Sequence, residues 1–387
     1  MYFMIAAFII ATACTVITVR TLVGYSDLRF SYKAAITLGV TLSWFAPVWI
    51  GALRCLKIND GLYVLLSNVG YYLFGLAFIL FCMLMLRDVL WYLFYGGAKL
   101  LHLASWNINP KNINVLNHAN LITLALSLAI SFYALYEGLK LPSVREVNFY
   151  TPKISSPYRI VLLSDLHITR AVSAERIARI VEKVNALEPD VIVMPGDILD
   201  DKVGKIEEQL HALGGLRAKY GVYASIGNHE FYSGINPWLQ KFREMGFTVL
   251  FNHGKALPGT GLFLAGIPDL QTAMSNPGLT ADLVKAFKGS DDFDYRILLS
   301  HNPEFIDYVP PHTYDLQLSA HTHGGQIFPF HYLVWMSGNY LAGTYRANEA
   351  DLYVSRGAGY WGPAMRLLAP SEITLITLYP ENGTPKK

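Results

Sequence analysis

Five segments decide how this chain reads: RIVLLSDLH (159–167), VIVMPGDILD (191–200), GVYASIGNHE (221–230), RILLSHNP (296–303) and LQLSAHTHGGQ (316–326). Each opens on a short apolar run and closes on Asp, Asn or His. Short apolar runs bounded by turn residues are the pattern of strands buried on both faces. One Asp or His after a strand is usually a turn residue. Eight such groups at five strand ends (Asp165, His167, Asp197, Asn228, His229, His301, His321 and His323) are not explained by turns. In open α/β sheets the carboxyl ends of the strands form the ligand crevice, so these groups are expected to share one site. Between the first two segments, Ile177, Ile180, Val181, Val184 and Leu187 follow helical spacing, with Ser173 as N-cap and Pro189 as stop. LYVSRG (352–357) and EITLITLYP (372–380) read as further strands without His.

The donor atoms limit the chemistry. All three cysteines (Cys14, Cys55, Cys82) precede this region, so it holds no thiolate ligand, Cys nucleophile or disulfide. Carboxylate oxygens with neutral imidazoles suit Mn, Fe, Zn, Ni or Co as divalent ions. Strand alternation would put Asp165 and His167 on one side, able to chelate one ion, and His321 and His323 have the same spacing. Seven ligands are too many for one tetrahedral ion. They suit two ions sharing a bridging carboxylate, the usual device for attack of hydroxide on phosphorus.

The blocks SDLH, GDILD, GNHE, the His of SHNP and AHTHGGQ, in this order, resemble the calcineurin-like metallophosphoesterases over about residues 158–380. The segment SRGAGYWGPAMRLLAPSEITLITL (355–378) further resembles the membrane-associated bacterial branch. That branch includes UDP-2,3-diacylglucosamine pyrophosphatase-like enzymes and transmembrane proteins with a metallophosphoesterase domain. The resemblance implies a four-layer αββα sandwich and two divalent metal ions. It implies Asp165, His167, Asp197 and His323 around one ion, and Asp197, Asn228, His301 and His321 around the other, with Asp197 bridging. His229 would protonate the leaving group, helped by Glu230, and Asp200 would orient ligands or cap its loop. Ala320 stands where the family usually has Gly, and its methyl could narrow the metal pocket without removing a ligand. Apart from the resemblance, Arg356 and Arg366 flank a Gly-rich turn and could hold a phosphate oxygen, or be solvated side chains of an ordinary turn. His211, His253 and His312 read as surface or structural residues; His331 lies in an aromatic loop and is open.

The region before this reads differently. Of 387 residues, 1–150 carry 10 Lys/Arg and 5 Asp/Glu, against 21 and 24 in 151–387. Four apolar runs, Tyr2–Val19, Ala34–Leu53, Gly61–Leu86 and Asn120–Tyr136, each approach the length of a membrane span. The first lacks basic residues before its apolar stretch, so it reads as a span rather than a cleaved signal peptide. Residues 87–106 read as an extension of the third helix or an interfacial helix, against a fifth span. The expected organisation is a multi-pass α-helical membrane region over 1–140, a Pro-containing linker over 141–157, and the α/β domain over 158–380. Lys386 and Lys387 read as a frayed tail. Loops one and three carry one more Lys/Arg than loop two and the start of the tail, a slight bias toward a catalytic domain outside the cytoplasm.

Net charge of +2 gives no electrostatic case for nucleic acid. The expected function is a membrane-anchored, dinuclear phosphoesterase of the bacterial inner membrane, using metal-activated hydroxide on a lipid-linked phosphate or pyrophosphate. The loop IFPFHYLVWM (327–336), directly after the His-x-His pair, would face acyl chains or headgroups, unless it folds inward as core. One alternative is a tethered phosphodiesterase or phosphatase for soluble nucleotides. Another is a membrane sensor or transport component with a ligand-binding phosphoesterase-like domain, which the complete ligand set disfavours.

Overall fold

The computed structural model describes residues 2–24, 26–54, 56–101, 112–270 and 279–381. The chain divides into two compact units, Met1–Tyr136 with Gly362–Met365, and Glu137–Trp361 with Arg366–Lys387.

The first unit is helical, with α1 (Tyr2–Val23), α2 (Phe30–Trp44), α3 (Ala46–Leu53), α4 (Asp60–Leu100) and most of α5 (Ile113–Leu139). Ile5–Val23, Asp60–Leu100 and Ile113–Leu139 are long and apolar enough to cross a membrane. The run Ala34–Leu53, expected as one helix, is instead split into α2 and α3, bent by 64°. Pro47 has no N–H to donate and disfavours helical backbone before it, so the ladder breaks at Phe45. Asn59 caps α4 by accepting from the N–H groups of Gly61 and Leu62. The apolar stretch after Arg87 continues α4 without a break to Leu100; 102–106 lie outside the described residues. Hydroxyls in these apolar helices bond back to the carbonyl four residues earlier, as Thr15 does to Ala11 and Ser127 to Thr123. Asn120 donates to the Thr21 and Leu22 carbonyls and accepts from Arg87, which ties α5 to the end of α1.

The second unit is built on β1 (Ser143–Thr151), β2 (Tyr158–Leu162), β3 (Val191–Met194), β4 (Val222–Ala224), β5 (Thr248–Val249), β6 (His253–Ala256), β7 (Leu262–Gly266), β8 (Tyr295–Leu299), β9 (Leu316–Ser319), β10 (Gly343–Ala347), β11 (Ala350–Val354) and β12 (Glu372–Pro380). They form two six-stranded sheets, β1-β12-β2-β3-β4-β5 and β10-β11-β9-β8-β7-β6. Alternate side chains of one strand enter different cores, which is why the apolar runs are continuous. Val191 and Val193 join the core between the sheets, with Leu264, Ile297 and Leu318 from the facing sheet. Ile192 and Met194 point the other way, onto α6 (Ala174–Asn185), α7 (Glu207–Leu213) and α9 (Ile235–Glu244). The Ser173 hydroxyl caps α6 by accepting from the Arg176 N–H. Short helical pieces at Leu283–Ala286 and Pro303–Tyr308 cover the outer face of the second sheet through Ala286, Phe305 and Ile306.

The expected linker 141–157 is corrected by the structure: its middle is β1, an edge strand paired in parallel with β12 from Ser143 to Thr151. Its polar alternation hid it, because an edge strand need bury only part of its side chains. Phe149 is the residue it delivers to the core. Within the first sheet β2, β3 and β4 run parallel, and within the second β7, β8 and β9 do.

Candidate metal centre

Each parallel trio ends at the same place. Asp165 and His167 follow β2, Asp197 follows β3, and Asn228 and His229 follow β4. His301 follows β8, and His321 and His323 follow β9. The structure brings seven of them together, and Asn228 lies between Gly227 and His229, whose backbones both approach Asp197. Asp165, His167 and His323 form one group whose donor atoms lie within 4.8 Å of one another; Asp197, His301 and His321 form another, and His167, Asp197 and His229 a third between them. Asp197 Oδ2 is 3.1 Å from His301 Nε2, 3.8 Å from His167 Nε2 and 3.9 Å from His229 Nε2.

The convergence is not produced by strand pleating. β2 ends at Leu162, and Asp165 and His167 sit in the following loop at φ +48° and +46°. Asp197, His321 and His323 also have positive φ. Such backbone costs on the order of 1–3 kcal/mol per residue and persists where the surroundings over-determine it. His321 and His323 do not share a group: they turn to different ones. Gly227 shows how close the loops approach. A Cβ there would lie 2.2 Å from Asp197 Oδ1 and 2.6 Å from Asp197 N. Ala320, by contrast, is not among the residues with positive φ, and its N–H bonds the His301 carbonyl, so its backbone does not call for glycine.

Several neighbours hold the ligands. Asp200 accepts from His167 Nδ1 at 3.1 Å and also bonds His229 Nδ1, so one carboxylate orients both rings. Glu230 requires a correction. Its fully buried carboxylate accepts from the N–H groups of Gly227, Asp197, Ile198 and Leu199. It locks two ligand loops together, and the carboxylate on the His229 ring is Asp200. Arg366 is 0% exposed and donates to the carbonyls of His323, Gly359 and Ala369, with Nη2 3.1 Å from His323 Nδ1. It braces His323 from beneath and is not placed to meet a phosphate. Arg356 is ion-paired with Glu372 at 3.3 Å. His312 is an exposed partner of Glu349, and the His331 ring packs at a tilt against Phe328 and Tyr332. Asp269 was missed. It follows β7 in LFLAGIPD (262–269), the same strand-then-acid pattern, is buried, and its charge acts on His301.

The electrostatics call for cations. Burial works to lower His167 and His301, yet Asp200 and its hydrogen bond push His167 up to about 9, and Asp197 pushes His301 up to about 10. Burial opposes ionisation of Asp197, but His301 holds it well below the carboxylate range. Burial and the His301 charge take His321 down to about 4. Burial and His167 keep His323 well below its usual value. Two imidazole pairs face each other nitrogen to nitrogen, His167 with His323 at 2.9 Å and His301 with His321 at 3.2 Å. Asn228 Oδ1 is buried with no hydrogen-bond partner. Ring nitrogens brought this close, an orphaned amide oxygen and clustered carboxylates are a donor set that fits divalent cations.

Residues 158–325 match the calcineurin-like phosphoesterase family. A Helicobacter pylori protein named an uncharacterized metallophosphoesterase is 34% identical over 93% of this chain and 96% of its own length. A second such protein, from Campylobacter jejuni, is 34% identical over 66% of this chain and 68% of its own. A zebrafish transmembrane protein with metallophosphoesterase domain is 34% identical over 66% of this chain and 62% of its own. Ordered ligand loops, a donor set fit for divalent ions and likeness along nearly the whole chain lead to one assignment: this protein belongs to the calcineurin-like metallophosphoesterases, hydrolases that work with divalent metal ions.

Proposed function

We propose that the protein is a membrane-anchored phosphoesterase holding two divalent ions and hydrolysing a phosphoester or pyrophosphate bond of a lipid-linked substrate. Asp165, His167, Asp197 and His323 would hold one ion, and Asp197, Asn228, His301 and His321 the other. The bridging role of Asp197 is supported by Oδ2 lying near both His167 and His301. Bound there, the ions supply Lewis acidity, neutralising phosphate charge and acidifying water. The remaining work falls to the chain. His229, with Nδ1 fixed by Asp200 and Nε2 turned to the centre, delivers a proton to the leaving oxygen. Glu230 and Arg366 hold the ligand loops from below. Burial excludes competing solvent from the ligand atoms.

The observation that carries the lipid reading is the helix Phe330–Gly338, which follows the His-x-His loop and has no buried residue. Phe330, Tyr332, Leu333, Trp335 and Met336 are all exposed, as is Phe328 before it. An apolar patch of this kind marks a contact surface, and aromatic rings with one polar edge favour the headgroup region. The apolar helices α1, α4 and α5 support anchoring of the same chain in a membrane. The resemblance to UDP-2,3-diacylglucosamine pyrophosphatase-like enzymes favours lipid pyrophosphates as the class to try first. The resemblance to the membrane-associated bacterial branch favours the bacterial inner membrane, and the loop charges favour a site outside the cytoplasm.

The test uses the full chain in lipid nanodiscs. Replacing Phe328, Phe330 and Trp335 with Ser is expected to cut hydrolysis of a lipid pyrophosphate at least tenfold more than that of bis(4-nitrophenyl) phosphate. Equal losses on both would make the helix structural and put the soluble-nucleotide reading ahead.

A further inference from the structure

Two exposed rings stand against His229. Tyr232 meets it edge-on with ring centroids 5.4 Å apart, and Trp361 does so at 6.0 Å. Tyr232 is nevertheless 72% exposed and Trp361 54%. Tyr232 comes with the short helix α8 (Asn228–Tyr232), three residues after His229 and so beside it on one turn. Trp361 comes from a distant loop and is fixed by polar bonds. The Gln326 amide accepts from Trp361 N–H and donates to Trp361 O, both at 2.9 Å. One side chain, three residues past His323, thus occupies both backbone groups of the tryptophan. The preceding loop is fastened to the first ligand loop as well. Ala358 N–H bonds Ser164 O and Gly359 N–H bonds Asp165 O. Gly357, at φ +77°, lies so near Asp165 that a Cβ there would be 2.6 Å from the Asp165 Cβ.

The backbone of Trp361 is therefore held from two ligand loops while its ring is left largely in water. Core packing does not account for that combination, since the ring gains little burial from it. A preorganised ring beside a reacting centre is suited to cover an apolar part of a ligand, with little conformational entropy left to lose. Both rings lie on the His229 side, where the leaving oxygen must arrive.

We propose that Trp361 and Tyr232 form the leaving-group wall of the site. They take an alcohol with an apolar or planar carbon face and guide its ester oxygen to His229. Gln326 is the positioning residue of that wall. The inference rests on His229 as proton donor. In the step, a water oxygen bonds to phosphorus and the bond from phosphorus to the alcohol oxygen breaks. That electron pair stays on the alcohol oxygen, which receives the His229 proton, and the water's proton passes to solvent. An alkyl chain and a flat ring share the required chemistry, and the test separates them.

The full-length, metal-loaded protein is assayed for phosphate release from ethyl, hexyl and 2-phenylethyl phosphate, whose leaving alcohols are similarly basic. The wall predicts higher kcat/KM for hexyl or 2-phenylethyl than for ethyl phosphate. A preference led by hexyl indicates an alkyl chain, and one led by 2-phenylethyl indicates a flat ring. Trp361→Ala is expected to lower that preference about five- to tenfold, mainly through KM, the scale of a few tens of Å² of apolar contact. Trp361→Phe should restore most of it. Gln326→Ala should lower it in the same direction with metal content unchanged by mass spectrometry. An unchanged preference in Trp361→Ala, or equal losses on all three esters, overturns the wall. His229→Ala in the same assay reports on the proton-donor assignment itself: undiminished turnover there defeats that reading whatever the preference does.

Discussion

Asp197 Oδ2 faces ring nitrogens from three other loops, so its loss should reach both ligand groups. Asp197→Ala is expected to empty both ions from the purified protein and abolish turnover. His229→Ala should keep metal and lose about 10²–10⁴-fold in turnover, the usual share of general acid catalysis. Metal analysis beside activity separates the two, and loss of metal in His229→Ala comparable to Asp197→Ala would refute the division of roles. The carboxylates also set a pH dependence. Without metal, His167 is pushed up to about 9 and His301 to about 10, so both carry protons at neutral pH. A cation needs their lone pairs and must displace those protons. Affinity should therefore rise with pH up to about 9–10 and fall as pH drops below that. Calorimetry at pH 7 in buffers of different ionisation enthalpy should count up to one proton released per site filled, two for the filled pair. A binding heat independent of buffer would show the imidazoles already neutral.

At the scale of elements, the ligand loops are held by near-contact of backbones rather than by long side chains. Gly227 against Asp197 is one example, and little there can move cheaply because a Cβ would meet the Asp197 backbone N at 2.6 Å as well as its carboxylate. Gly227→Ala is expected to cost about 1–3 kcal/mol, typical of overpacking, and to lower metal content in proportion. Denaturant unfolding of the metal-free protein measures the first term, and a loss below 0.5 kcal/mol would mean the loops separate easily. β1 carries a second expectation. It pairs with β12 along nine residues and buries Phe149. A fragment starting at residue 158 would leave the edge of β12 open for intermolecular pairing. It should aggregate at concentrations where a fragment starting at Lys140 stays monomeric; equal behaviour in light scattering would make β1 an accessory strand. Any soluble version of the catalytic unit should therefore start before Ser143.

For the whole molecule, the proposed topology is read by labelling. With Cys14, Cys55 and Cys82 replaced by Ser, a Ser155→Cys protein in intact cells should react with a membrane-impermeant thiol reagent; labelling only after lysis would place the catalytic unit in the cytoplasm. The anchoring reading began in composition, because runs of twenty apolar residues without charge have few other uses. The break at Phe45 was legible only in hindsight from Pro47. The α/β class and the eight clustered residues were open to reading from the sequence because buried strands must be continuously apolar and each such run stopped on a polar donor. The sequence by itself thus determined the family, the donor chemistry and the order of the loops. Other features were decided by tertiary structure alone. They include the assignment of Asp200 rather than Glu230 to the His229 ring, the burial of Arg366, and the strand hidden in the expected linker. The reason is physical: spacing along a strand fixes direction only while the backbone stays extended, and here five ligand residues leave it for positive φ. Which groups then meet is set by loops packing from two sheets, through contacts between residues far apart in the chain that no local pattern records.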